Sequence, residues 1–495
     1  MKIVIGYPPL VSHKGIPQIS QNRQFQWTPS GSLSYFIYPV VPAYAATLLR
    51  SKGYEVFWLD GLAEKMTYGE WEKKLLEIHP DLLAIETKTP VIKEHWKIIK
   101  KIKLISNIQY PISVVLMGDH VTALPEESMK NCAVDFVITG GDYDFGLLSI
   151  ADHLSKGKKL ESGIWYRKEI HNTKYLIQNT GKFILSHSLN ELPVIDRELT
   201  KWHLYAYKNS NFYRAPGAYT MFGRDCWWGK CSFCAWTSLY PGNKFRVLPV
   251  SMAIAEIENL VENYKVKEIM DDSGSFPVGN WTREFCTELI KRKYPNKVRI
   301  NCNMRFNSSL TQKDYYLMRK AGFRFILYGL ESASQKTLDR IDKNLEVEQI
   351  EACLRMAKKA GLNPHVTVMV GYPWETGKDI ENTIIFVKDL FKKGLVDTMQ
   401  ATIVVPYPGT PLFKQCKENG WLKTIDWNRY DMREPIMKAN IPDGVLLKSV
   451  RSLYSYSIWN KTFILNTLNK LQTLDGFKYV TFQALKYFGK LFEFK

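Results

Sequence analysis

The 495-residue sequence contains no stretch approaching the roughly 18 uninterrupted apolar residues that a membrane-crossing helix needs. Acidic residues are in short supply. The 49 Asp and Glu stand against 67 Lys and Arg, a formal net charge of +18. That charge suits nucleic acid or anionic lipid, but a lysine-rich proteome produces it equally well, so it selects no partner by itself. Cysteine is scarce too, with eight in all, which excludes a disulfide-built scaffold in a chain of this size. The opening MKIVIGYPPL has too short an apolar run for a secretory signal and reads as a buried strand. The chain is therefore expected in the cytoplasm, divided into two or three domains.

Residues 1–155 repeat a short apolar run, a turn and an amphipathic helix. The runs are KIVIG, EVFWLD, LLAIET, SVVLMG and DFVITG. Runs apolar on both faces, alternating with helices, predict a doubly wound, five-stranded parallel α/β domain of Rossmann-like type. Ligands of such sheets sit beyond the carboxyl ends of the strands. Those ends carry Gly6-Tyr7-Pro8, Glu86-Thr87, Gly118-Asp119-His120 and Gly140-Gly141-Asp142. Residues 156–205 read as a linker containing a hairpin through GIWYRKEIHNTKYLIQN. From 206 to 423 six further strands are expected: YTMFGR, KEIMDD, VRINCN, FRFILYGLE, HVTVMVG and TMQATIVV. Helices lie between them, Thr311 with Asp314 opens one, and Gly322 and Gly361 each close one. Six such units predict a partial (β/α)6 barrel with its chemistry at the C-terminal strand ends. Residues 424–495 read as a helical region of two amphipathic segments divided at Asp475-Gly476. In the second, Phe477, Val480, Ala484, Phe488 and Leu491 recur at helical spacing.

Three cysteines fall within nine residues, in GRDCWWGKCSFCAW, spaced Cys-x4-Cys-x2-Cys. Three thiolates can hold three corners of a four-iron cluster, whereas a structural zinc site normally needs four ligands. No fourth Cys or His lies nearby; the nearest histidine, His203, is more than 20 residues upstream. Three unrelated core cysteines, or a zinc site completed from elsewhere, remain the alternatives. A three-ligand set leaves one iron open, and the segment follows the barrel's first strand, where a catalytic loop belongs.

This segment resembles the cluster loop of the radical S-adenosylmethionine (radical SAM) superfamily. The usual spacing there is Cys-x3-Cys-x2-Cys with an aromatic residue before the last cysteine. Phe233 fills the aromatic place, and one extra residue separates Cys226 from Cys231. The resemblance implies that Cys226, Cys231 and Cys234 bind a 4Fe-4S cluster whose open iron chelates S-adenosylmethionine. IMDDSGSF ends the second strand, so Asp271 or Asp272 is the candidate for the amino group; the usual Gly-Gly-Glu-Pro is absent. Arg305 in NMRF is a candidate carboxylate clamp, Glu331 in YGLES a candidate ribose contact, and Gly371 in VGYPWET lies by the adenine. PYPGTPL follows the sixth strand.

The N-terminal domain resembles that of the cobalamin-binding radical SAM subfamily. The resemblance rests on YPPL, VPAYAATLLRSKGYEVFWLDG, VVLMGDHVTALPEE and VDFVITGGDYDF. It implies cobalamin contacts at Tyr7, Pro8, Thr87, Gly118, Asp119, His120, Gly140 and Gly141. The Asp-x-His-x-x-Gly cobalt-ligand motif is absent, as in that subfamily, which leaves His120 as a lone histidine candidate. Two local patterns depart: GDH stands for Gly-Gly-Pro-His, and GGDYD for Gly-Glu-Gly-Glu. A domain that has kept its shape without cobalamin is the alternative. The implied reaction is methylation of an unactivated carbon through a 5′-deoxyadenosyl radical and methylcobalamin. A radical cyclisation or rearrangement without methyl transfer is the first rival.

An RNA-modifying enzyme like the methylthiotransferases is the second rival, favoured by the charge. It is disfavoured because only Cys132 precedes the cluster loop and the C-terminus looks helical. Nucleic acid is therefore not the expected partner. The implied partners are a small-molecule or lipid substrate and an electron donor such as flavodoxin or ferredoxin. Residues 446–495 carry seven Lys and one Arg against Asp475 and Glu493, a net of +6. That raises peripheral membrane contact as an expectation, with a helical cap on the barrel as its rival.

Overall fold

The computed structural model describes the chain except residues 11, 22–23, 31–33, 110, 172–173, 208–211, 459–463, 465–466, 469–470 and 494–495. In chain order the first sheet region contains β1 (Lys2–Tyr7), β2 (Ile16–Gln18), β3 (Gln26–Thr28), β4 (Glu55–Asp60), β5 (Leu82–Thr87), β6 (Ser113–Gly118) and β7 (Phe136–Ile138). The expected hairpin follows as β8 (Ile164–His171) and β9 (Lys174–Asn179), its tip outside the described residues. All five expected parallel strands form, in the order β4-β1-β5-β6-β7. The hairpin does more than link. It pairs antiparallel with β7 and extends the sheet to seven strands. Leu82, Leu83, Ala84 and Ile85 of β5 are fully buried, as befits a strand covered by helices on both faces.

The strand order reverses at β1, so a crevice opens between the ends of β1 and β5. The segment that enters it was not legible in the sequence. Between β1 and the helix Val40–Ser51 the chain forms a strap carrying the small β2–β3 hairpin.

The second sheet contains β10 (Gly217–Thr220), β13 (Glu268–Asp271), β14 (Arg299–Met304), β15 (Phe323–Glu331), β16 (Asn363–Val370) and β17 (Thr398–Ile403), all parallel and in that order. Between β10 and β13 lie two short strands, β11 (Gly223–Arg224) and β12 (Arg246–Val247). The expected strand YTMFGR is therefore broken. The Asp271 carboxylate accepts the Phe222 N–H at 2.8 Å, and Ser273 Oγ accepts the Gly223 N–H at 2.8 Å. These side chains end the ladder and turn the chain aside, so that Gly223–Arg224 pairs antiparallel with Arg246–Val247. Thr311 and Asp314 form a reciprocal capping box, and Gly322 and Gly361 end their helices with positive φ.

In the C-terminal region, helix Asp443–Ile458 packs on β17 and buries Leu446, Val450 and Leu453. The expected division at Asp475-Gly476 lies elsewhere. Both residues sit in the first turn of helix Leu474–Glu493, and the break between the helices precedes it. Among the described residues no helix is long and apolar enough to cross a membrane.

Candidate active site

The cysteine loop runs from β11 to β12, so the two-residue ladder fixes its base. Its middle is held by backbone bonds to distant segments: Ser232 N–H donates to Ile341 O at 2.9 Å, and Leu412 N–H to Ser232 O at 2.8 Å. Trp228 Nε1 donates to Asp342 O at 2.6 Å. Cys231 is buried, while Cys226 and Cys234 are half-buried, and none is in a disulfide. Burial pushes the Cys231 and Cys234 thiols up; at Cys231 the neighbouring Lys343 and Arg305 charges pull the other way, whereas at Cys234 the charge of Cys231 adds to the rise. Among the described residues no three His, Cys, Asp or Glu converge on one metal ion. A cubane cluster does not need that, because each thiolate takes a separate iron at a separate corner.

The strand ends expected to surround the loop do so. Gly274, beyond β13, approaches so closely that a Cβ there would lie 2.7 Å from the Trp236 ring. Asp271 commits both carboxylate oxygens within the fold, to Phe222 N–H, Thr220 Oγ1 and Ser273 N–H. Asp272, beside it, is also buried. Arg305 is buried against the loop. Its guanidinium lies 5.1 and 5.3 Å from the Trp227 and Trp228 rings, donates to Lys343 O, and has Nη1 3.5 Å from Cys231 Sγ.

Glu331 accepts from Lys343 Nζ at 2.9 Å, and Lys343 lies 5.9 Å from the Phe233 ring. A Cβ on Gly329 would sit 2.4 Å from Glu331 Oε1 and 2.7 Å from Lys343 Nζ, so a larger residue there would displace the tips of this ion pair. Gly371 has φ +98° and donates its N–H to Glu375 Oε2 at 2.9 Å. Burial raises the Glu375 carboxyl to about 7.

On the facing sheet, Tyr7 donates to Glu86 Oε2 at 2.6 Å across the switch crevice, and the Gln21 N–H from the strap donates to Glu86 Oε1 at 2.6 Å. Thr87 Oγ1 lies 2.7 Å from His95 Nδ1. Gly118, with φ +141°, starts the short helix bearing Asp119, whose Oδ1 accepts the His120 N–H. His120 does not face the other sheet's chemistry. Its ring nitrogens lie 3.4 Å from Thr89 Oγ1 and 3.2 Å from Glu127 Oε2, and its ring packs edge-on to Trp427 at 5.2 Å. Gly140 and Gly141 are covered from within: a Cβ on either would strike the rings of Phe183 and Tyr240 respectively.

The two halves meet on a buried charge cluster. Arg224, one residue before Asp225, pairs with Asp142 at 3.0 Å and also with Asp144; Arg246 pairs with Asp142 at 2.7 Å. All but Arg246 are at most 2% exposed. The acidic residues that distinguish GGDYD therefore clamp the base of the cysteine loop. Gly409 in PYPGTPL meets both Ala123 of the facing domain and Ser238 of the loop, closing the junction from a third side.

Residues 220–387, which include the cysteine loop, Asp271, Asp272, Arg305, Glu331, Lys343 and Gly371, match the Radical SAM superfamily. An uncharacterised methyltransferase of Pyrococcus horikoshii is 30% identical over 404 residues, 81% of this chain and 83% of the relative. The chain belongs to the radical SAM superfamily. An anaerobic magnesium-protoporphyrin IX monomethyl ester cyclase of Rubrivivax gelatinosus is 26% identical over 435 residues, 86% of this chain and 74% of the cyclase. In fold, the cobalamin-dependent radical enzyme OxsB, solved with aqua-cobalamin and S-adenosylmethionine bound, superposes with a TM-score of 0.69 at 15% identity. That match covers 98% of this chain and 71% of OxsB.

A radical SAM enzyme must hold polar cofactors between these strand ends, and the buried polar atoms fit that need. Neither carboxylate oxygen of Asp225 has a hydrogen-bond partner of good geometry among the described residues, nor do Ser275 Oγ, Asn303 Oδ1 or Tyr372 Oη. The same holds for Tyr407 Oη after the sixth barrel strand and, across the junction, for Gln21 Oε1 and Tyr143 Oη. Buried polar groups in native proteins are satisfied by protein, water or ligand. Lys343, Asp225, Gln21 and Arg224 with its partners Asp144 and Arg246 were not singled out from sequence, and Glu86 and Asp142 were named only as residues at strand ends. Lys343 follows Glu331 by twelve residues with Lys336 and Arg340 between them, so the sequence does not mark it out. The others depend on pairings between segments far apart in sequence.

Proposed function

We propose that this protein is a cobalamin-dependent radical SAM enzyme that methylates an unactivated carbon of its substrate. The observation that carries the reading is the opposition of two strand-end surfaces. The cysteine-loop region of one sheet packs on the strand-end segments of the other, through Tyr240 Oη accepting from Gln21 Nε2 at 3.0 Å and through the Arg224–Asp142 pair, and on both sides buried polar atoms lack a hydrogen-bond partner of good geometry among the described residues. In this reading Cys226, Cys231 and Cys234 hold three irons of a 4Fe-4S cluster, and Asp272, Glu331 and the Gly371 backbone orient S-adenosylmethionine. Arg305 and Lys343 supply positive charge beside the cluster and the cofactor carboxylate. Tyr7, Thr87, Gly118 and Asp119 line the corrinoid side. His120, engaged by Thr89 and Glu127, is assigned no role toward the corrinoid in this reading.

When bound, the cluster and S-adenosylmethionine supply a carbon radical and the corrinoid a transferable methyl group. The chain's own task is orientation and exclusion of water. The Arg224 clamp and the Gly409 contact keep the loop and the corrinoid side in one frame. Reductive cleavage consumes an electron, so a donor of the flavodoxin or ferredoxin class is required. Cyclisation without methyl transfer is the second reading, favoured by the likeness to the Rubrivivax cyclase.

The two readings separate when the anaerobically reconstituted enzyme is incubated with extract from a strain lacking its gene and S-adenosylmethionine bearing a deuterated methyl group. A product that gains the deuterated methyl supports methylation. A product that forms by losing hydrogen, with no label, supports cyclisation and overturns it.

A further inference from the structure

Large apolar side chains stand exposed at seventeen described positions, and five of them fall within 464–485: Ile464, Leu468, Leu471, Phe477 and Leu485. Such crowding in 22 residues is not the scatter expected of an ordinary surface. Phe477 is 55% and Leu468 53% exposed. The helix Leu474–Glu493 is anchored by its other side. The Tyr479 ring lies 5.3 Å from Tyr213, the Phe482 ring 6.0 Å from Tyr35 in the strap, and Thr473 Oγ1 3.1 Å from Tyr213 Oη. The apolar side chains that the sequence pattern assigns to one face are therefore divided. Phe477 and Ala484 are exposed, Val480 is half-buried, and the side chains of Phe488 and Leu491 lie outside the described residues.

We infer that this face docks on an anionic lipid bilayer. Residues 459–495, beyond the first helix, carry six Lys against Asp475 and Glu493, a net of +4, which draws them to an anionic leaflet, while the exposed Phe477 and Leu485 insert at its boundary. The same charge argues against a second copy as occupant, since an isologous contact would set like-charged faces against each other. The first helix of the region, Asp443–Ile458, is the cap on β17 and buries Leu446, Val450 and Leu453, whereas the helix Leu474–Glu493 exposes Phe477 and Leu485. Among the described residues no helix is long and apolar enough to cross a membrane, so the contact is peripheral.

The test uses full-length, anaerobically prepared protein and its Phe477→Glu/Leu485→Glu variant. Each is sedimented with vesicles of phosphatidylglycerol and phosphatidylcholine, and with phosphatidylcholine alone. Both changes are at exposed positions, and unchanged iron content reports an intact fold. Wild type is expected to sediment with anionic vesicles at low salt and to be partly retained at high salt, because salt screens only the electrostatic part. The variant is expected to lose at least about tenfold in high-salt partition. Three results would overturn the inference: wild type that ignores anionic vesicles at low salt, a variant that partitions as wild type does, or a concentration-dependent dimer that the variant dissolves.

Discussion

Arg224 is 1% exposed, and its charge is compensated by Asp142 and Asp144, 82 and 80 residues earlier in the chain. Removing one partner of such a cluster leaves a buried charge underpaired, which typically costs about 3 kcal/mol or more. Asp144→Asn is therefore expected to lower the urea midpoint by a corresponding amount and to reduce iron retained per chain, because the clamp sits two residues before Cys226. Unchanged stability with full iron content would show that the clamp does not position the loop. Glu86 gives a pH-dependent counterpart. Burial raises its carboxyl to about 7, against the opposing pull of the Tyr7 hydroxyl, Lys88 and the Gln21 N–H. A raised acid holds its proton more tightly folded than unfolded. Its contribution to stability is complete below its unfolded value and lost as pH rises through about 7. Glu86→Gln is expected to flatten the fall in thermal midpoint between about pH 4.5 and 7 relative to wild type. Parallel slopes for the two proteins would contradict this assignment. Neither role was readable in sequence, where Arg224 is only the residue before a cysteine motif and Glu86 only the end of an apolar run.

At the scale of elements, the strands were legible because burial on both faces writes itself as continuous apolar runs, as in LLAIET and SVVLMG. Local capping was legible for the same reason, since Thr311 and Asp314 are neighbours in the chain. What escaped was set by distant partners. The break between β10 and β11 depends on Asp271 and Ser273, about fifty residues on, taking the N–H groups of Phe222 and Gly223. The strap with β2 and β3 escaped because its order comes from contacts such as Gln18 to Tyr35 and Gln21 to Tyr240, not from periodicity. The C-terminal helix Asp443–Ile458 closes the free edge of β17 through one side chain: Tyr454 donates to Ala401 O at 2.9 Å and accepts from Ala401 N–H at 3.0 Å. Unpaired strand edges are costly when buried, so Tyr454→Phe is expected to destabilise the protein by roughly 1–3 kcal/mol. Iron content should stay at the wild-type level. A loss of iron in this variant would mean that the helix also supports the cysteine loop.

For the whole molecule, the order of domains makes sense as a sandwich of two parallel sheets presenting their carboxyl ends to one another, with the cysteine loop between them. Each sheet's ligand-binding end is fixed by its own topology, and the Arg224 cluster and the strap hold the two ends together. The central claim is that Cys226, Cys231 and Cys234 hold the cluster that cleaves S-adenosylmethionine. The most direct measurement compares iron content and 5′-deoxyadenosine formation, without air, in wild type and in the Cys226→Ala/Cys231→Ala/Cys234→Ala variant. Wild type is expected to bind about four irons per chain and to form 5′-deoxyadenosine when reduced, and the triple variant to do neither. A triple variant that keeps its iron and still releases 5′-deoxyadenosine would contradict the account.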